Sequence, residues 1–556
     1  MGFLKKLPIL GKQGLKHPYN KKTVGQNAEQ EIAAVTGQLE ETATKEELGD
    51  ISKLGSNPRG IVDSLIERGI NVLDYGLKGD GTTSNDMSIQ NLFDSLTSNI
   101  NLVFPAGIFN LSKLTVENKS GITIKGVSKT ESVLRITSNY NQLVQFKGCN
   151  NILFENITID LTDSITATKI KFGESTTING CSNIKFLNCN IKNKVNKKAS
   201  SGTLTFWRNT YNVDFIDCDF EEVHYPILFD NNGVNVSRGY VRMQNCDIKG
   251  YTTERARKAI LFQGTGTRLN THVFVQNNIF ERFDYGVMNL YHVSAFTVTG
   301  NTINDCKALL DTDYIGTSPV ETAICWLDTA GNGNIGNCVF SDNSFTSCVG
   351  ICVYLEEVRN GIIRGNRFVD ILGRPSGIKT YDSGTFQIIS EGNHCIIAVG
   401  GVADLQIVGN TFANVERVLL LCRRFAPVII GGYYLERIQF INNKISCLET
   451  AINIVERVTS VQVKGNIATG SNNSFPFIEY NKASTTQDLD YIAVDENTVN
   501  GFSTVYKRPA NYGNGQFLNN YFRGSGTFFE CDFRTNYAVN NNIHATSETA
   551  RTIINA

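Results

Sequence analysis

From Gly121 onward, apolar and polar residues alternate in short runs that each close on Asn or Asp followed by another apolar residue. Ser182–Ile191 reads SNIKFLNCNI, Tyr211–Phe220 reads YNVDFIDCDF and His272–Phe280 reads HVFVQNNIF. The same phrase returns at Cys338–Phe345, Gly361–Phe368, Asp404–Phe412, Arg437–Ile445 and Tyr491–Val499. A period of two predicts half-buried strands. Asn190, Asp219, Asp247, Asn278, Asn301, Asn343, Asn366, Asn410, Asn443, Asn466 and Asn497 serve as turn marks, and successive marks lie 23 to 44 residues apart. No helical pattern intervenes. A repeat with a modal period in the twenties, built of strands, predicts a solenoid.

A coil of two or three short strands cannot bury its own inward side chains, so it stacks on a neighbour about 4.8 Å away. Asn tolerates the left-handed backbone of a tight turn and bonds nearby backbone groups, and identical turns set one Asn above the next in a ladder. Leucine-rich repeats would show an L-x-x-L-x-L frame that the chain lacks. Sandwiches and propellers would not hold this turn in phase for so long. The expected fold is all-β: a right-handed single-stranded parallel β-helix of roughly 13 to 16 coils, the hand following the usual preference of parallel crossovers.

Before the repeats, Ile89, Leu92, Phe93 and Leu96 form one apolar stripe on a helix that Asn85 or Asp86 can cap. A lone amphipathic helix ahead of many strands is expected to cap the open end of the stack. Earlier still, Gln30–Ile51 is helix-prone and acid-rich, with Ile32, Val35 and Leu39 at helical spacing, and Asn57–Gly60 marks a boundary. The expected organisation is a head over residues 1–60 for attachment or oligomerisation, a cap with the first coils over 61–120, and a shaft over 121–556. A loosely ordered tail is the other reading of the head.

The 52 basic residues balance 53 acidic ones, for a net charge of -1. This gives no electrostatic ground for a nucleic-acid or membrane-surface partner. No stretch approaches the roughly 18 apolar residues of a membrane span, and Leu7–Leu10 is too short for a secretory signal, so delivery other than by a leader is expected. With 14 cysteines in so long a chain, a disulfide framework is not needed. Cys189, Cys218 and Cys246, about one repeat apart, predict a buried stack of free thiols. No Cys/His cluster supplies four metal ligands, and neither metal nor cofactor is expected.

Val72-Leu73-Asp74-Tyr75-Gly76, Lys78-Gly79-Asp80-Gly81-Thr82-Thr83, Asp86, Ile89-Gln90 and Val103-Phe104-Pro105-Ala106-Gly107 together resemble the opening of pectate-lyase-like β-helix proteins found in bacteriophage tailspikes. The motif specifies architecture and is shared with non-phage carbohydrate enzymes. The resemblance implies a homotrimer, carried on the virion by its head through a tail or baseplate protein. It also implies a function outside the host cell, binding and usually cleaving a bacterial surface polysaccharide, either capsule or O-chain.

Glycosidic hydrolysis needs two carboxylates about 5 to 5.5 Å apart for retention or about 6.5 to 9.5 Å apart for inversion. Asp311 and Asp313, at i and i+2, share one face of a strand and are the first candidates for general acid and base. Glu356 and Asp382 are the substitutes. Counted from the turn marks, Asp230, Glu356, Arg423 and Glu456 fall at similar offsets, which suggests one carboxylate-bearing face. Trp326 and Asp328 lie in Gly316–Asn334, read as an insertion or as an insertion plus part of a coil. Trp326 is either a plane for a sugar ring or an inward core residue. Asp328, Tyr314, Tyr381 and Arg423 complete the expected binding set. The favoured function is an endo-acting glycoside hydrolase. A lyase on a uronic-acid polymer and a non-enzymatic glycan-binding adhesin or structural spike are the alternatives.

Overall fold

The computed structural model describes residues 69–554 with breaks, of which 309–322, 330–336, 372–393 and 423–434 bear on the site. The expected helix within Gln30–Ile51 lies outside the described residues. Asn71–Ala556 forms one compact unit. Among the described residues no helix is long and apolar enough to cross a membrane.

Strands fall in rotation onto three sheets. One coil runs through Ser182–Leu187, Asn190–Lys192 and Leu204–Phe206, and the next through Tyr211–Ile216, Asp219–Val223 and Ile227–Asp230. Each strand pairs in parallel with its equivalent one coil on: Ile184 with Val213, Ile191 with Phe220, Phe206 with Phe229. The first sheet has 17 described strands and the third has 15, which makes the chain the right-handed parallel β-helix that its repeat predicts. At the far end, Thr552–Ile554 pairs antiparallel with Asn542–Ala545 and covers the last edge of the second sheet.

Alternate residues of every strand point inward, where like residues stack. Phe146, Phe172, Phe206, Phe229 and Phe262 form one column on the third sheet, with ring centroids 4.5 to 5.2 Å apart between coils. Phe154, Phe186 and Phe215 stack opposite at 4.8 Å and meet the first column edge-on, as at Phe172–Phe186.

The turn between first and second sheets divides its work between two columns. Left-handed backbone falls at Asn188, Asp217, Asn245, Asn277, Gly300, Asp342, Gly365, Gly409, Asn442, Gly465 and Glu496. The ladder is one residue further on. Asn301 Oδ1 accepts from the Asn278 backbone N–H at 2.9 Å and from its Nδ2 at 3.0 Å, while Asn301 Nδ2 donates to the Val275 carbonyl at 2.9 Å. This repeats from Asn278 to Asn542, all buried. In the earlier coils the marks Asn190, Asp219 and Asp247 are not ladder members, because their register column runs on into the strand residues Ile279 and Thr302. Cys189, Cys218 and Cys246 occupy the ladder column there, and the Cys246 N–H bonds Asn278 Oδ1 at 2.9 Å. All three are buried free thiols, as expected.

The cap helix spans Asp86–Ser95 and buries Ile89, Leu92 and Phe93. Its docking is specific. Gln90 Nε2 donates to the Thr115 carbonyl at 2.9 Å and Gln90 Oε1 accepts from the Thr115 N–H at 3.0 Å. One side-chain amide thus satisfies the free edge of Leu114–Glu117, the first strand of the third sheet, as a further strand would. Asn85 makes no cap bond; it holds the Lys78 N–H at 2.7 Å, while the Asp86 carboxylate accepts from the Ser112 and Lys113 N–H groups at 2.7 and 3.0 Å.

Candidate functional site

The middle of the third sheet departs from the rest on its outward face. Side chains on a strand alternate between faces, so the register assigns a face to each residue. Leu228, Leu261, Asn289, Trp326, Tyr354, Ile397, Leu420 and Asn453 lie in one register column between two columns of inward residues. The equivalent outward column begins with Thr115, Gln145 and Lys171 in the first coils. An outward column is ordinarily wet and polar. Here Trp326 is 4%, Ile397 5% and Leu420 6% exposed, forming a buried apolar patch with Tyr354 packed against it.

Trp326 is therefore outward by register and buried in its surroundings. It lies on a strand, Ala323–Asp328, so of the two readings of Gly316–Asn334 the one that includes part of a coil holds. The insertion is shorter than Gly316–Asn334 because Ala323–Asp328 supplies the third-sheet strand of its coil. The Trp326 ring meets Tyr354 at 5.0 Å and Tyr291 edge-on at 6.3 Å. Its Nε1–H is buried with no hydrogen-bond partner among the described residues, and leaving such a donor unmatched costs about 1 to 3 kcal/mol.

Two residues along each strand, Asp328 and Glu356 are direct register partners. Both are buried, at 2% and 1% exposure. In-register residues on adjacent strands stand about 4.8 Å apart. The next coils place Val399 and then Cys422 in this column, so the carboxylates end at Glu356. Arg423 comes one residue after that register position, and Glu456 one residue after Val455, which also lies in the column. Both lie outside the described residues.

Of the expected acids, Glu356 is described and lies on this face. Asp311, Asp313, Tyr314, Asp382, Tyr381 and Arg423 lie outside the described residues. Asp328 was expected as a binding residue, and the structure joins it to Glu356. No fixed offset reveals that pairing, because it depends on recognising Ala323–Asp328 as a strand. Among the described residues no cluster of His, Cys, Asp and Glu could hold a metal ion. Three of the buried cysteines are poor nucleophiles: burial pushes Cys338 up to about 12 and raises Cys306 and Cys325 well above the ordinary thiol range.

Residues 69–311 match the family described as "Rhamnogalacturonase A/epimerase, pectate lyase-like". No curated protein sequence matches the chain. Among solved structures, a PL6 alginate lyase in complex with a trisaccharide is 12% identical over 88% of this chain and 91% of its own, with a TM-score of 0.44. The tailspike protein of E. coli bacteriophage HK620, in complex with a pentasaccharide, is 12% identical over 87% and 81%, with a TM-score of 0.43. The A-module of a mannuronan C-5 epimerase from Azotobacter vinelandii is 13% identical over 84% and 100%, with a TM-score of 0.37. Over residues 69–311 the chain is thus pectate-lyase-like in sequence, and the coils beyond continue the same three-sheet column.

Proposed function

We propose that the protein is a polysaccharide depolymerase, cleaving within a bacterial surface glycan by hydrolysis at the Asp328–Glu356 pair. The observation that carries this reading is the register pairing of those two acids beside Trp326 and Tyr354, at a buried apolar patch on the outward face of the sheet. One carboxyl donates a proton to the leaving glycosidic oxygen. The other attacks the anomeric carbon, and water then releases the sugar from it. The strand spacing of about 4.8 Å is close to the separation for retention and short of that for inversion. The aromatic rings offer a flat apolar surface to the C–H face of a sugar, and the Trp326 Nε1–H offers a hydroxyl a donor. Asp311, Asp313 and Asp382 are held as alternative acids.

Elimination from a uronic-acid polymer is the second reading, favoured by Tyr291 and Tyr354, phenols that meet Trp326 beside the same acids and could take the proton next to a sugar carboxylate. A homotrimer attached to a phage tail by residues 1–60 and acting outside the host cell fits either chemistry. The test is to incubate the protein with capsular or O-chain polysaccharide and follow chain length, reducing ends and ultraviolet absorbance together. Shortening with new reducing ends and no absorbance is expected. Absorbing products would replace hydrolysis by elimination, and chains of unchanged length would leave a binding protein.

A further inference from the structure

A second face of the column has the chemistry of a saccharide site, far along the chain from the acid pair. On the outward side of the first sheet, Gln406, Gln439, Gln462, Ala493 and Gln516 form one register column. They floor a groove of about 470 Å³. Stacked amides on a parallel sheet ordinarily satisfy one another, and Gln439 Nε2 does donate to Gln462 Oε1 at 3.2 Å. Ala493 interrupts the ladder. Above Gln462 stands a methyl group where an amide would continue the chain, and Gln516 Oε1 instead accepts from the Tyr491 hydroxyl at 2.9 Å. The gap is a depression between two amides with Tyr491, 38% exposed, on its flank.

The charges around this floor answer one another. Arg437 is held by Asp404, with Nη2 2.7 Å from its Oδ2, and by Glu436 at 3.1 Å. Lys464 lies 3.3 Å from Glu496 and 3.6 Å from Asp495. Arg437, Lys464 and Arg359, whose charge acts on Asp404, stand against four carboxylates, so the surface offers a polyanion no net positive charge. Amides at a repeat of about 4.8 Å match hydroxyl pairs on successive rings of an extended sugar chain, and an exposed tyrosine gives a ring something to pack on.

We propose that this groove is a second, non-catalytic saccharide site that takes an uncharged stretch of polysaccharide laid along the column axis. It goes beyond the depolymerase reading and shares with it only the class of ligand.

The test uses the full-length protein on an array of purified bacterial capsule and O-chain polysaccharides. Gln462→Ala combined with Tyr491→Ala should lower apparent affinity for polymers with neutral runs about tenfold or more. Ala493→Gln, which completes the ladder and fills the depression without removing a polar group, should do the same. Such losses in a protein that cleaves nothing would support the groove while removing the depolymerase reading. Affinity unchanged in both variants would overturn the groove alone. A parent protein that binds none of the polymers would overturn both readings. A shift in oligomeric state of the variants by sedimentation velocity, in place of a binding loss, would make this face a contact between copies and overturn the saccharide site.

Discussion

At the scale of single residues, the asparagine ladder is the clearest case of one side chain closing several accounts. Asn410 Oδ1 accepts from both the backbone N–H and Nδ2 of Asn366 at 2.9 Å, and its own Nδ2 reaches the Ile363 carbonyl at 3.0 Å. Asn410→Leu keeps the branched heavy-atom skeleton and removes every one of these bonds. The orphaned groups are buried, so the loss should be about 3 kcal/mol, read as a lower denaturant midpoint or a shorter unfolding half-life. The turn repeat was legible because Asn and Asp recur in it, and its phase was not. Left-handed backbone and ladder bonding both favour Asn, and in Asn277-Asn278 the two jobs sit side by side. Trp326 offers a second residue-level test. Trp326→Phe keeps an aromatic ring and deletes an N–H that has no partner among the described residues. If that N–H meets substrate, KM rises about fivefold, from a lost hydrogen bond of about 1 kcal/mol, with stability nearly unchanged. A purely packing role would move the melting temperature and leave KM alone.

At the scale of elements, inward faces were legible and outward positions on the third sheet were not. An inward residue repeats in type, as in the Phe146 to Phe262 column, and type survives errors of count. Asp328 and Glu356 meet only if Ala323–Asp328 is known to be a strand, and all its described residues are buried, which erases the alternation that marks a strand elsewhere. Fixed-offset counting therefore does not show that Asp328 and Glu356 meet, and the spacing alone leaves Trp326 in an insertion or in part of a coil. The same elements bury the thiols. Twelve cysteines are described, all buried and free. Burial pushes Cys338 and Cys447 up to about 12, which keeps them protonated through neutral pH, since a raised thiol pKa removes the reactive thiolate at any pH below it. A thiol reagent at pH 8 should therefore reach at most two of the 14 cysteines in the native protein and all of them in denaturant. Rapid native labelling of three or more would contradict the stacked interior.

At the scale of the whole molecule, each coil rests on its neighbours alone, and the column is long because nothing in the repeat ends it until the antiparallel strand Thr552–Ile554. That regularity brings residues 28 positions apart, Asp328 and Glu356, into register, and it leaves one side of the column for chemistry and another for the glutamine groove. Acids on adjacent coils predict net retention of anomeric configuration, visible by NMR in the first products, whereas inverted products would point to a more widely spaced pair such as Asp311 and Asp313. The measurement that bears most directly on the account is the rate of polysaccharide shortening by Asp328→Asn and by Glu356→Gln, each confirmed folded by circular dichroism and unchanged in oligomeric state. The account predicts that each variant is slower than the parent by about a hundredfold or more. Shortening at the parental rate by both would contradict it.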